Sequence, residues 1–264
     1  MSPLTAAQVH PTAVVHPGAR LGVNVRVGPY CILGEEVEID EDCELMAHIY
    51  MEGPLRVGPA NRFFPYSSIG VIPQDKKFHG ERTETLIGRE NIFREFVTVH
   101  RGTELGGGIT SIGDCNLIMA YAHIAHDCRI GNHTVLANGT TLAGHVLIED
   151  YAVIGAFSGI HQFCRVGRHS LVGGYSVVTQ DVLPFSTTVS ERAIHAYGVN
   201  AVGLQRHGVS AERRRKLSRA FRLLTSSKLN TAQALEKIRE EAADSEDLRE
   251  LLRFIESSER GIIK

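Results

Sequence analysis

Histidine is the residue to start from. The chain holds thirteen, unevenly spread, and the segment AHIAHD places His123 and His126 close together with Asp127 directly after. An imidazole whose ordinary pKa is about 6.5 takes a proton from a hydroxyl near neutral pH. A carboxylate beside it can orient the ring and stabilise the imidazolium, and a backbone N–H nearby can hold a developing oxyanion. No serine or cysteine sits in a nucleophile-elbow motif. Direct attack by a substrate hydroxyl on an activated acyl group, with His126 as general base, is therefore the simpler chemistry. What stands beside His126 depends on the elements that carry it.

Those elements follow from a period of six. Apolar residues recur at every sixth position from Val9 to Ile69, and again through twelve consecutive anchors from Ile112 to Val178. Such a period fits neither a helix nor an alternating strand. It predicts a triangular coil in which each hexapeptide supplies one short strand and one corner, so that three hexapeptides complete a turn. Large anchors and the small residues four later fill the prism, Cys31, Cys43, Cys128 and Cys164 among them. Glycine after the anchor, as at Gly113, Gly131, Gly155, Gly167 and Gly173, is expected to help the corner turn. One full turn on from His126 stands Gly144, with His145 beside it, so His126, Asp127, Gly144 and His145 should lie within one coil spacing. His100 joins the same flank from an earlier coil, and His161 from a later one.

Two stretches break the pattern. Residues 70–86 are polar and charged, and 101–111 (RGTELGGGITS) shift the phase by one. Both are expected to be loop excursions from a prism occupying 1–200, with an irregular exit after Val178. Residues 201–264 are expected to form a small helical domain of three helices, in which Leu217, Ala220, Phe221 and Leu224 share a face and Thr231 and Ser245 are N-caps. Arg213, Arg214, Arg215, Lys216, Arg219 and Arg222 give its first helix a basic surface, either solvated or a dock for an acidic partner.

Bulk properties exclude several classes. A formal net charge of −2 gives no signal for nucleic acid or a membrane surface, and no apolar run approaches the ~20 residues of a membrane span. The N-terminal residues lack the pattern of a secretory signal, which points to the cytoplasm. Five cysteines without a CxxC pair argue against a disulfide framework or a structural zinc site.

The order of HPTA, GPYCILG, PQDKK, VTVHRGT, AHIAHDC, LAGHV, HQFC, VGGYS and YGVN resembles the UDP-N-acetylglucosamine acyltransferases of lipid A biosynthesis, over nearly the whole chain. The resemblance implies a left-handed parallel β-helix and a homotrimer with sites in clefts between subunits. It implies transfer of an (R)-3-hydroxyacyl group from acyl carrier protein to the 3-hydroxyl of UDP-N-acetylglucosamine, with no cofactor beyond the carrier's phosphopantetheine arm and no metal. His126 then matches the general base, oriented by Asp127, and Gly144 the oxyanion donor. Asp75, Lys77, His100, His123, His145, His161, Gln162, Asn200 and Arg206 match substrate-binding positions, with the loop bearing Asp75 and Lys77 expected to come from a different chain than His126. Gly174 matches the position limiting acyl length. Where the family has a second arginine after Arg206, this chain has His207. The rivals are a hexapeptide-repeat metal hydratase using three interfacial histidines, a related N-acyltransferase, and a non-enzymatic scaffold. Acyl length, and a 3-hydroxyl against a 3-amino acceptor, are left open by the sequence.

Overall fold

A computed structural model describes residues 6–190, 194–225 and 229–263. Two- to four-residue strands, separated mostly by three- or four-residue corners, stack into three parallel sheets, which are the faces of a left-handed β-helix. The first face runs from Gln8–Val9 through Leu117–Ile118 to Leu171–Val172, and the second from Val14–Val15 through His123–Ile124 to Val177–Val178. The third runs from Arg20–Leu21 through Arg129–Ile130 to Arg165–Val166. Register confirms the coil of three hexapeptides, with Ile118 opposite Leu136, Ile124 opposite Leu142 and Ile130 opposite Ile148.

The anchors fill the prism. Ile118, Ile124, Leu136, Leu142 and Ile154 are fully buried, whereas Val9, on the edge strand of the first face, is 44% exposed. The four cysteines assigned to the core are buried and free. A polar ladder lies inside as well. Asn61, Asn91 and Asn116 stack at one inner corner, each side-chain carbonyl accepting the next coil's backbone N–H at 2.7–2.9 Å. Satisfied in this way, buried amides cost little and fix the coil-to-coil register.

The corner glycines act differently from expectation. Left-handed backbone at the corners is carried by residues such as Tyr121, Asp127, His145 and Phe163, at φ of 60–65°. Gly131, Gly155 and Gly167 instead stand where a Cβ would come within 2.4–2.8 Å of the next coil's backbone nitrogen. Close stacking of coils, not a left-handed turn, is what requires them.

The exit from the prism is also more ordered than expected. Ser186–Ser190 and Ile194–Val199 form an antiparallel hairpin on the edge of the first face. Four α-helices follow among the described residues: α1 (Ala201–Arg206), α2 (Ala211–Thr225), α3 (Thr231–Glu241) and α4 (Glu246–Glu256). The extra helix is α1. Ser245 is the N-cap of α4, but Asn230, one residue before Thr231, caps α3 through a capping box with Gln233. Leu217, Ala220, Phe221 and Leu224 are buried in a second core with Leu248, Leu251 and Phe254. Arg165 joins the two cores, bonding Asp181 at 2.9 Å and the Phe254 carbonyl at 3.0 Å. Beyond α4 the chain returns to the prism, where Ile263 is buried in its core and bonds the Asp181 carbonyl at 3.1 Å.

Candidate active site

Both excursions leave the prism at one corner, where the second face turns into the third. One spans 72–83, between Ser68–Val71 and Glu84–Ile87; the other spans 101–108, between Thr98–His100 and Ile109–Ile112. The next coils at that same corner carry Ala125–Cys128, then Ala143–Val146, then His161–Cys164. The sequence-derived neighbours therefore do meet. His126 Nδ1 lies 2.7 Å from Asp127 Oδ2, and His145 Nε2 lies 3.8 Å from the same oxygen. The two imidazoles stand edge to face at 5.1 Å. Gly144 lies directly beneath the His126 ring, since a Cβ there would come within 2.5 Å of Cε1 and 2.7 Å of Nε2. Among the described residues no acceptor is assigned to the Gly144 N–H.

Asp127 is enclosed. Its side chain is 0% exposed. Oδ1 accepts the Thr103 N–H at 2.9 Å, and Oδ2 accepts the Thr103 hydroxyl at 2.6 Å. Its own N–H donates to Thr110 Oγ1 at 2.7 Å. Burial on its own would raise the carboxyl, but the bonds from His126 and Thr103 outweigh it, and the group is held below the usual carboxylate range. An ionised Asp127 can only accept a hydrogen bond, so His126 carries its hydrogen on Nδ1, which leaves Nε2 as the basic nitrogen.

The surrounding histidines are kept neutral. His100 is 3% exposed, and burial, helped by His123 and His126, pushes it down to about 4. His123 meets His100 edge to face at 4.9 Å and bonds Thr98 Oγ1 at 2.7 Å; burial lowers it as well. His145 is lowered chiefly by burial, against the pull of Asp127 and of Asp75. Asp75 lies in the 72–83 excursion of the same chain, and its negative charge reaches His145. Asp75 Oδ1 also accepts the Lys77 N–H at 3.0 Å, and the Lys77 side chain is exposed.

The remaining positions divide. His161 and Gln162 are exposed two coils along the same corner, and Phe163 stacks on His145 at 4.5 Å. Gly174 is exposed at the other edge of the second face, between the first and second faces, so it does not share the corner of His126. Asn200 and Arg206 are further away still. Asn200 caps α1 through the Gly203 N–H and bonds the His169 carbonyl at 3.1 Å, at the corner between the third and first faces. Arg206 is exposed in the last turn of α1, and His207 packs its ring on Tyr151 at 4.6 Å. One chain alone brings none of these three to His126.

Sequence reasoning missed Thr103, Thr110 and Phe163. Phe163 was within reach, one full coil beyond His145, whereas Thr103 lies in the excursion where coil arithmetic fails. As for a metal, His126, Asp127 and His145 each offer a ligand atom within 4.8 Å of the others. The Asp127 oxygen nearest both rings, however, is already the acceptor for the His126 ring and the Thr103 hydroxyl, which suits proton transfer better than ligation.

A histidine–carboxylate pair with a glycine amide, set at one corner of a hexapeptide prism and followed by a helical domain, defines a hexapeptide-repeat acyltransferase. The family models agree: residues 109–144 match bacterial transferase hexapeptide repeats, and 181–263 match domain 2 of UDP-N-acetylglucosamine O-acyltransferase. The acyl-[acyl-carrier-protein]–UDP-N-acetylglucosamine O-acyltransferase of Thermodesulfovibrio yellowstonii is 48% identical over 257 residues, 97% of this chain and 99% of that one. The enzyme of the same name from Stenotrophomonas maltophilia is 46% identical over 98% of each chain. Among solved structures, UDP-N-acetylglucosamine acyltransferase from Francisella novicida superposes with a TM-score of 0.94 at 38% identity, covering 97% of this chain and 94% of that one. The Bacteroides fragilis enzyme also gives 0.94 at 38% identity, over 97% and 100%. The chain belongs to the family of acyl-carrier-protein-dependent UDP-N-acetylglucosamine O-acyltransferases.

Proposed function

We propose that this enzyme transfers an (R)-3-hydroxyacyl group from acyl carrier protein to the glucosamine 3-hydroxyl of UDP-N-acetylglucosamine, the first step of lipid A biosynthesis, with His126 as general base. The observation that carries the reading is the 2.7 Å contact between His126 Nδ1 and a fully buried Asp127 carboxylate. Nε2 takes the proton from the 3-hydroxyl as its oxygen attacks the thioester carbonyl. The Gly144 N–H donates to the oxyanion of the tetrahedral intermediate. Collapse expels the phosphopantetheine thiolate, which receives the proton back from the imidazolium. Asp127 keeps the ring oriented and offsets its transient positive charge. The donor brings its own pantetheine arm, so the reaction asks for no further cofactor.

His100, His123, His145, His161 and Gln162 line the corner along which sugar and acyl chain would lie, and Asp75 and Lys77 overhang it. Gly174, Asn200 and Arg206 belong to other corners, and in this reading a neighbouring subunit presents them. A homotrimer suits the second face, whose outward positions (Val14, Ile32, Tyr50, Ser68, Thr98, His123, Thr141, Gly159, Val177) carry no acid, lysine or arginine. No described helix is long and apolar enough to cross a membrane, and an acyl carrier donor suits a reaction in the cytoplasm.

The test is an assay of purified enzyme against UDP-N-acetylglucosamine and its 3-amino analogue, with a ladder of 3-hydroxyacyl carriers. His126→Ala should lose about 10²–10⁴-fold in kcat or more while keeping the parent's melting temperature. Activity within a few-fold of the parent removes His126 from the mechanism.

A further inference from the structure

The 101–108 excursion is built around the Asp127 carboxylate. Thr103 gives it two bonds, from the backbone N–H to Oδ1 and from the hydroxyl to Oδ2. The hydroxyl's polarity is fixed from both ends. An ionised carboxylate can only accept, so the hydroxyl hydrogen points to Oδ2, and its lone pair accepts the Gly106 N–H at 3.2 Å. Gly106 closes the cage, since a Cβ there would lie 2.0–2.3 Å from the carboxylate atoms. The excursion is itself fastened down. Arg101 is 11% exposed and bonds Glu52 Oε1 at 2.9 Å and the carbonyls of Gly53 and Gly70 at 3.0 and 3.3 Å.

Oδ2 therefore receives two donors at once, the Thr103 hydroxyl at 2.6 Å and His126 Nδ1–H at 2.7 Å. We infer that Thr103 is a positioning residue for the reaction, whose hydroxyl holds Asp127 ionised and limits its pull on the His126 proton, so that it sets the basicity of the catalytic imidazole. The inference rests on His126 being the base. A hydroxyl that shares Oδ2 withdraws charge from it. Without that hydroxyl the carboxylate is more basic, the histidine–aspartate pair holds its proton more tightly, and the form with Nε2 free becomes populated only at higher pH. Neither step consumes a reagent: the proton moves between imidazole, substrate and thiolate as before, and Thr103 keeps its own.

The experiment compares Thr103→Val, Thr103→Ala and Thr103→Ser with the parent and with His126→Ala, following kcat, KM and the pH profile of kcat/KM. All three variants keep the backbone N–H that bonds Oδ1. Thr103→Val and Thr103→Ala should lower kcat about 10- to 100-fold, the worth of one charge-assisted bond, with KM for the sugar nucleotide unchanged. The acidic limb of kcat/KM should move up by about half a pH unit or more. Thr103→Ser should restore both. NMR titration of the His126 ring nitrogens should show the same upward displacement in the folded form of either deleted variant. A fall in activity with an unmoved acidic limb and an unmoved His126 titration makes Thr103 a merely structural residue and overturns the inference. If His126→Ala keeps its activity, the underlying mechanism fails instead, and the two failures are told apart.

Discussion

At the scale of single residues, the contact between His126 and Gly144 leaves no slack at the catalytic imidazole. The imidazole lies on the peptide of the next coil with no room for one more carbon. Gly144 is not at positive φ, so alanine meets no backbone obstacle there, and the whole cost falls on the ring. Gly144→Ala should therefore fold and melt like the parent but swing His126 away from the 3-hydroxyl, lowering kcat/KM on the order of 10²-fold. Circular dichroism beside steady-state kinetics checks this, and near-parental turnover would show that the imidazole is not held against residue 144. The pair was legible from spacing alone, because the two positions stand one full turn apart and the coil between them is uninterrupted. Thr103 was not, because the insertion after His100 abolishes the register on which that arithmetic depends.

At the scale of elements, α2 carries two kinds of basic residue. Arg213 forks onto the buried Asp247 at 2.6 and 2.7 Å, Arg219 pairs with Glu241 at 2.9 Å, and Lys216 pairs with Glu212 at 3.3 Å. Arg214 is turned to Gln205 at 2.7 Å. Arg215 and Arg222 are exposed and have no ion-pair partner among the described residues. If α2 docks an acidic carrier protein, the free pair should do it. Reversing Arg215 and Arg222 to glutamate should raise the KM for acyl carrier protein several-fold without changing the melting temperature, with added salt weakening the parent alike. Reversing Arg213 should instead lower the melting temperature, since it strands Asp247. An unchanged KM in the Arg215/Arg222 reversal leaves a solvated face. Composition showed the basic helix but not this division, because all the partners but Glu212 lie on other helices, Gln205 on α1, Glu241 on α3 and Asp247 on α4. The hairpin at Ser186–Ser190 and Ile194–Val199 was hidden for a related reason: once the six-residue period stops, the residues Ser-Thr-Thr-Val-Ser give no anchor to count from.

At the scale of the whole molecule, the inward pattern was fully readable, because one large and one small residue per hexapeptide define a prism almost without reference to the rest. Less readable was the burial of histidine. His100 and His169 are both pushed down to about 4, chiefly by burial. His100 faces His123 and His126; His169 stacks between Tyr151 and Phe185 and is faced by Arg168, His207 and Arg213, with Asp247 opposing them. In the unfolded chain both titrate near ~6.5, so between that pH and about 4 the unfolded state binds more protons. Their contribution is complete above ~6.5 and is lost as pH falls towards about 4. The urea midpoint should drop across that window. His169→Asn, which suits the left-handed backbone there (φ 54°), should flatten the drop by one proton's worth. An identical pH slope in the variant would mean that His169 is already protonated in the folded enzyme.

The return of Ile263 to the prism gives the molecule an order of assembly. Coils in the middle of the stack are held by the coils directly before and after them in the chain, and each can close as soon as its predecessor exists. The last layer has no such neighbour. Asp181 is matched instead by Gly261 and Ile263, far downstream, and these arrive only when the helices between have packed. The prism is thus a zipper with local teeth and a remote clasp. Its loop-closure cost is concentrated in one cluster of long-range contacts around Arg165 and Asp181, and until that cluster forms, the upper coil edge is open to pairing with another chain.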